Sequence, residues 1–368
     1  MKEPSTAKRF QVIGENIYAT RTIARTGSRI VDTDAGGVAV AFTDPSGQVR
    51  WMPVCDPIAA GSSFARGRLK HVQNAVLLGL ADAGLASVDV AGPASPPAAE
   101  TARSYLVQLA LLQQATGADW LDVNVDEVGD DLTLRARAME WLVTTLEDSP
   151  LVTVPVSLDS SNSEVLAAGL RCSKRPHGRP LLNSASLERL DVLDLAVEHH
   201  VPLVVSAAGE ASLPTNVEGR LANAHRVLDA AAIRGVPPED IYLDPLVMPA
   251  AVDHEAGRSF LDAARRLWSE LGDVIHLTGG LSNVSIGLPE RRLLNDAFLV
   301  LSIEAGLDSG IIDPVSNPVE RAIALDRAIA LDRGAAPFRL AANLLEGRDE
   351  YGMEYLSAFR AGAFASPT

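Results

Sequence analysis

HLTGGLSNVSIGLPERRLLNDAFLVLSIEAGLDSGIID, residues 276–313, reads as strand, polar turn, long apolar helix and strand in succession. A short β-prone start runs into Gly279 and Gly280, and Ser282 and Asn283 follow where the chain should leave a sheet. From Leu293 to Gly306 the apolar positions continue without a proline, as a buried helix requires. SGIID then forms a second short strand, again closed by a polar residue, Asp313. Repetition of this unit decides the fold.

Outward from that stretch the same alternation recurs. The first short apolar strand is FQVIGEN at 10–16. Six more follow at 120–125, 154–160, 180–186, 202–209, 241–247 and 274–280, and SGIIDPV at 309–315 is the eighth. Helical patterns at 101–117, 132–147, 162–172, 187–199, 217–234, 256–271 and 318–333 lie between or after them. Alternating β and α implies a parallel sheet, and eight units favour a closed (β/α)8 TIM barrel over an open doubly wound sheet. The GxGxxG expected after an early strand of a Rossmann fold is absent.

The barrel is expected to occupy 1–336 as a single domain with an insertion at about 26–100, and 337–368 to be a helical C-terminal extension. RIVDTD, VAVAFT and QVRWMPV, separated by AGG and DPSG, predict a β-hairpin or meander over 29–54. FARGRLKHVQNAVLLGLADAG predicts one helix over 64–84, and AGPASPPAAE at 91–100 a loop. AIALDR occurs twice over 322–333 and reads as a local duplication inside one helix.

With 368 residues, 47% of them hydrophobic, the chain has enough apolar surface for a large core. A net charge of −15 argues against a general nucleic-acid binder, which needs lysine and arginine. Two distant cysteines, Cys55 and Cys172, make no CxxC, so no metal site is expected and a reducing compartment is favoured. The start, MKEPSTAKRF, has no apolar core of a signal peptide, and no run reaches the length of a membrane span. A cytoplasmic protein without membrane attachment is the expectation.

A TIM barrel carries its active site at the carboxyl ends of its strands. Those ends supply Glu15, Asn16, Asp122, Asn124, Asp159, Asn183, Ser206, Asp244, Ser282, Asn283 and Asp313, with almost no lysine, arginine or histidine. Such a lining suits a neutral heterocycle rich in hydrogen-bonding groups. In a pterin, the 2-amino group and N3–H form a two-donor edge that one carboxylate accepts, while asparagine serves the neighbouring acceptor and donor. Each residue taken singly has a competing role as a helix cap, Asp159 and Ser160 before NSEVLAAGL above all. Capping alone accounts poorly for so many Asp and Asn at equivalent positions.

GENIY at 14–18, LDVNV at 121–125, LDSSN at 158–162, LLNSAS at 181–186, YLDPLVMP at 242–249 and GLSNVSIGLPERRLLNDAFL at 280–299 resemble the pterin-binding methyltransferase family. This family includes methyltetrahydrofolate:corrinoid protein methyltransferases and the folate module of cobalamin-dependent methionine synthase. The resemblance implies that Asp159, Asn183 and Asp244 hold the pterin, with Asn124, Ser282, Arg291 and Asp122 supporting them. It implies that Asn283 reaches N5, the nitrogen bearing the transferred methyl, and that Asp159 assists as a catalytic residue. Tetrahydrofolate or methyltetrahydrofolate is then the substrate. No DxHxxG of a cobalamin-binding module occurs, so the corrinoid is expected on a separate partner protein. A homodimer is the expected assembly. Dihydropteroate synthase is the alternative enzyme and a non-catalytic folate-binding protein the alternative class. The insertion and the Asn-Ile-Tyr after Glu15, where the family usually has GERIN, depart from the family pattern.

Overall fold

The computed structural model describes residues 9–33, 36–87, 97–210, 212–330 and 336–364. Eight strands form one sheet: β1 (Gln11–Tyr18), β2 (Trp120–Asn124), β3 (Val156–Asp159), β4 (Leu181–Ala185), β5 (Leu203–Ser206), β6 (Ile241–Asp244), β7 (His276–Leu277) and β8 (Ser309–Ile312). Their order is β7-β6-β5-β4-β3-β2-β1-β8. Parallel registers join β1 to β8, β2 to β3, β3 to β4, β5 to β6 and β6 to β7. A parallel bridge between Gly280 and Ile311 brings the outer strands β7 and β8 together. The fold is the expected (β/α)8 barrel.

Between the strands run α1 (Ala98–Ala115), α2 (Leu132–Glu147), α3 (Ser163–Cys172), α4 (Asp191–His199), α5 (Val217–Arg234), α6 (Ala256–Leu271) and α7 (Arg291–Glu304), and α8 (Val319–Ala330) follows β8. Side chains two apart share a face of a strand. In β2, Leu121 and Val123 therefore point one way and Asp122 and Asn124 the other, all but Asn124 fully buried. In β3, Leu158 faces Gly169 of α3, which turns Ser157 and Asp159 to the opposite side. Cross-strand register sets Asn124 beside Asp159, Asp159 beside Asn183, and Ser206 beside Asp244. The polar residues foreseen at separate strand ends are thus lateral neighbours.

By internal contacts the chain divides into two compact units, residues 15–183 and residues 1–14 with 184–368. The first carries the insertion, whose strands Ile30–Asp32, Val38–Thr43 and Val49–Pro53 form an antiparallel sheet. Phe42 meets Tyr105 of α1 edge-on at 5.0 Å, and the Tyr105 hydroxyl bonds His71 Nδ1 at 2.8 Å. Burial pushes His71 down to about 3, so its neutral ring belongs to this packing. The helix expected over 64–84 is corrected to a helix Ser62–Ala65, a strand Arg68–Lys70 paired with Thr22–Ala24, and a helix His71–Asp82. Gly67, at φ +79, breaks the run, and fully buried Leu69 anchors the strand.

In the second unit, helices Ala336–Leu345 and Met353–Arg360 form the C-terminal tail. Asp349 accepts from the Glu354 and Tyr355 amides, and the Tyr355 hydroxyl donates to the Pro289 carbonyl at 3.1 Å. Most of the loop expected at 91–100 and the end of the AIALDR duplication lie outside the described residues.

Candidate active site

Within residues 15–183 the strand ends form a linked polar cluster. Asn124 donates from Nδ2 to Asp159 Oδ2 at 3.0 Å and accepts the Asp126 amide at 3.0 Å. Both hydrogen bonds fix the rotamer of its carboxamide. Asp122 Oδ2 accepts the Tyr18 hydroxyl and, at 3.2 Å, Asn183 Nδ2. With its nitrogen committed to Asp122, Asn183 has its amide oxygen directed elsewhere. Asp122 and Asn183 stand on alternate strands, the relation that builds side-chain layers inside such a barrel. Burial first, and then the charge of Asp159, holds the Asp122 carboxyl well above the usual carboxylate range. Burial and the charge of Asp122 raise the Tyr18 phenol likewise, which keeps it a donor.

The expected capping role of Asp159 is taken by another residue. Asn162 caps α3, accepting the Glu164 amide at 2.8 Å. The β3 exit is also held by Asp126, which accepts the Ser160 hydroxyl at 2.6 Å and the Ser161 amide at 2.8 Å. At the β1 end, Arg21 donates to Asn16 Oδ1 at 2.7 Å and to Glu15 Oε1 at 3.2 Å. A guanidinium therefore reaches the GEN stretch from five residues further on.

In the other unit Asp244 ends β6. Its Oδ1 accepts the Leu246 amide at 2.7 Å, and the Gly280 amide also faces the carboxylate. Withdrawal from water nevertheless pushes its pKa up to about 6. Ser282 and Asn283 lie on a 3-10 turn, Leu281–Ser285. Ser282 is buried, whereas the Asn283 side chain faces solvent. A Cβ on Gly280 would stand 2.8 Å from the Asn283 amide nitrogen, so a larger residue there would displace the Asn283 carboxamide. Arg291, at the start of α7, donates to the Ser282 carbonyl and the Ser285 hydroxyl, each at 3.0 Å. Asp313 accepts the Val315 and Ser316 amides and the Ser316 hydroxyl, the contacts of a turn cap.

Of these positions, Asp122, Asn124, Asp159, Asn183, Asp244, Ser282, Asn283, Arg291 and Asp313 fall inside one sequence signature. The model described as "Pterin binding enzyme" matches residues 98–313, more than half of the chain. The chain belongs to the pterin-binding enzyme family. This pterin-binding enzyme is 28% identical over 271 residues to the methylcorrinoid:tetrahydrofolate methyltransferase of Eubacterium limosum, an alignment covering 72% of the chain and 90% of that relative. It is 32% identical over 215 residues to the methionine synthase of Mycobacterium leprae, covering 54% of the chain but 17% of that much longer protein. Among solved structures, it is similar to a dihydropteroate synthase of Xanthomonas albilineans in complex with 7,8-dihydropteroate, with TM-score 0.49, 20% identity, and 62% and 86% of the two chains covered.

Tyr18, Arg21, Asp126 and Arg220 were not singled out by the sequence. Tyr18 closes the GENIY motif, where it reads only as a departure from the family pattern, and Asp126 lies one residue past LDVNV. Arg21 and Arg220 carry no such signal. Guanidinium groups of Arg220 and of the expected Arg291 serve strand-end loops, and that of Arg21 reaches Asn16 within β1, which amends the expected scarcity of basic groups there.

Proposed function

We propose that this pterin-binding enzyme transfers a methyl group between N5 of tetrahydrofolate and the cobalt of a corrinoid carried by a separate protein. The observation that carries the reading is the division among the strand-end residues. Asp159 and Asn183 are held by protein hydrogen bonds as ring-binding groups would be, while Asn283 offers an exposed carboxamide on a turn braced by Arg291. The resemblance to the Eubacterium limosum methyltransferase over 90% of its length supports the same reading.

In this proposal Asp159, Asn183 and Asp244 accept and donate at the pterin edge, and Asn283 hydrogen-bonds N5. Asn124 and Asp122 act through Asp159 and Asn183. Ser282 and Arg291 hold the turn that carries Asn283. When methyltetrahydrofolate is the donor, the electron pair of Co(I) forms the new Co–C bond, and the pair of the C–N5 bond stays on N5, which takes up a proton. A tertiary amine leaves poorly, so a hydrogen bond that strengthens as charge shifts at N5 lowers the barrier. A carboxamide is no strong acid, and the proton comes from water or through Asp159. The reverse transfer uses the same groups with the proton leaving N5.

The test is a mixture of the protein, methyltetrahydrofolate and free cob(I)alamin, followed by its visible spectrum. Enzyme-dependent formation of methylcobalamin is expected, as is the reverse conversion from methylcobalamin and tetrahydrofolate. Folate binding with no conversion either way would leave a folate-binding protein. Pyrophosphate release from a pterin pyrophosphate, joined to an arylamine, would instead make it a dihydropteroate synthase.

A further inference from the structure

Arg220 is a large cation with no place in the reaction just described, yet it is 1% exposed. It projects from the first turn of α5, and its Nε donates to the Ser259 hydroxyl of α6 at 3.3 Å. One terminal nitrogen donates to two successive carbonyls, Pro245 at 2.9 Å and Leu246 at 2.6 Å. Those residues immediately follow Asp244, and Leu246 sits at φ +74, where a residue with a Cβ is strained. In that conformation the Leu246 amide turns back onto Asp244 Oδ1 at 2.7 Å. A buried cation is costly unless its donors are used, so its confinement to this loop calls for a reason.

We infer that Arg220 is the positioning residue for Asp244: it clamps the Pro245 and Leu246 carbonyls, fixes the left-handed Leu246 backbone, and so aims the Asp244 carboxylate. The inference rests on the proposed role of Asp244 at the pterin. Strain at Leu246 persists only where surrounding bonds determine it, and the two carbonyl bonds supply that determination. Proline at 245 fixes its own φ, so fewer backbone angles are left for the two carbonyl bonds to hold. The guanidinium also favours the ionised form of Asp244, against the burial that opposes it, and Asp253 is the other carboxylate whose charge Arg220 feels.

The experiment compares wild type, Arg220→Lys and Arg220→Met as full-length proteins at equal folded fraction by circular dichroism. It reads amide exchange at Leu246, the carboxyl titration of Asp244 by carbon NMR, and the Kd for tetrahydrofolate. Arg220→Met is expected to deprotect the Leu246 amide, raise the Asp244 midpoint and weaken folate binding about tenfold or more. Arg220→Lys, which keeps the charge but not the guanidinium fork, is expected to restore the midpoint and only part of the affinity. If Arg220→Met does not fold, the lysine variant decides: full protection at Leu246 with unchanged affinity overturns the inference. Unchanged exchange and titration in a folded methionine variant overturn it also. Loss of amide protection and a raised midpoint in Arg220→Met, beside a wild type that binds no folate, would uphold the clamp and refute the pterin reading, so the two failures are distinct.

Discussion

The Asn124 carboxamide donates to Asp159 at 3.0 Å, and the two residues face each other across the parallel register of β2 and β3. Asn124 is therefore a support for Asp159. Replacing it by Ala should leave the fold intact and weaken tetrahydrofolate binding about tenfold, the loss of one charge-assisted hydrogen bond. Asn124→Asp should cost more, because two carboxylates would meet where one donor now stands. Calorimetric titration of the two variants checks the order, and an aspartate variant binding as tightly as wild type would contradict it.

Tyr18 and Asn183 share one oxygen of the buried Asp122. Tyr18→Phe removes a donor from a carboxyl already held above its usual range by burial. The expected loss is about 1–3 kcal/mol of stability, the cost of an unsatisfied buried polar group. Denaturant unfolding at pH 7 measures it. Folate affinity should fall as well, since Asn183 loses a fixed anchor.

Asp244, pushed up to about 6 by burial, gives the pH dependence a sign. Its folded pKa lies above its unfolded value, so the native state binds the extra proton and this group's contribution to stability falls as pH rises from about 4 through 6. Asp244→Asn should accordingly raise stability at pH 7 by about 1–3 kcal/mol, as removal of a penalised buried charge does. The same substitution should weaken folate binding severely. In wild type, folate affinity should drop as pH falls below about 6, because a protonated Asp244 no longer accepts two donors. Binding isotherms from pH 5 to 8 check this dependence.

Arg291 braces the Asn283 turn through the Ser282 carbonyl, and Gly280 leaves room beside the Asn283 amide. Arg291→Ala should lower the methyl-transfer rate by about one to two orders of magnitude with a small change in folate Kd, since misplacement of a group near the reacting atom costs rate. Gly280→Ala should do the same, because the new methyl group would crowd the Asn283 amide. Single-turnover rates beside equilibrium Kd values separate rate from affinity for both.

The barrel was legible because its strands are short, apolar and evenly separated by amphipathic helices, and three of those helices, α2, α5 and α6, have the expected limits. The 64–84 segment misled because apolar spacing continues across Gly67, and only its left-handed backbone reveals the break. Among the candidate site residues, Asp159 and Asp244 end their strands as read from their motifs, whereas Asn183 lies in the middle of β4. The positioning groups were hidden for a physical reason. Arg220 reaches its loop through contacts 25 and 26 residues away in sequence, and Tyr18 meets Asp122 over 104 residues. No local pattern encodes such pairings.

In the proposed reaction the methyl group itself moves from nitrogen to cobalt. Methyltetrahydrofolate labelled with carbon-13 at the methyl, mixed with the protein and cob(I)alamin, lets NMR follow that carbon directly. The expected result is an enzyme-dependent disappearance of the N-methyl resonance and growth of a cobalt-bound methyl resonance, much slowed in Asn283→Ala with folate binding kept. A methyl resonance that stays on nitrogen while the folate is bound, in wild type as in the variant, would contradict it.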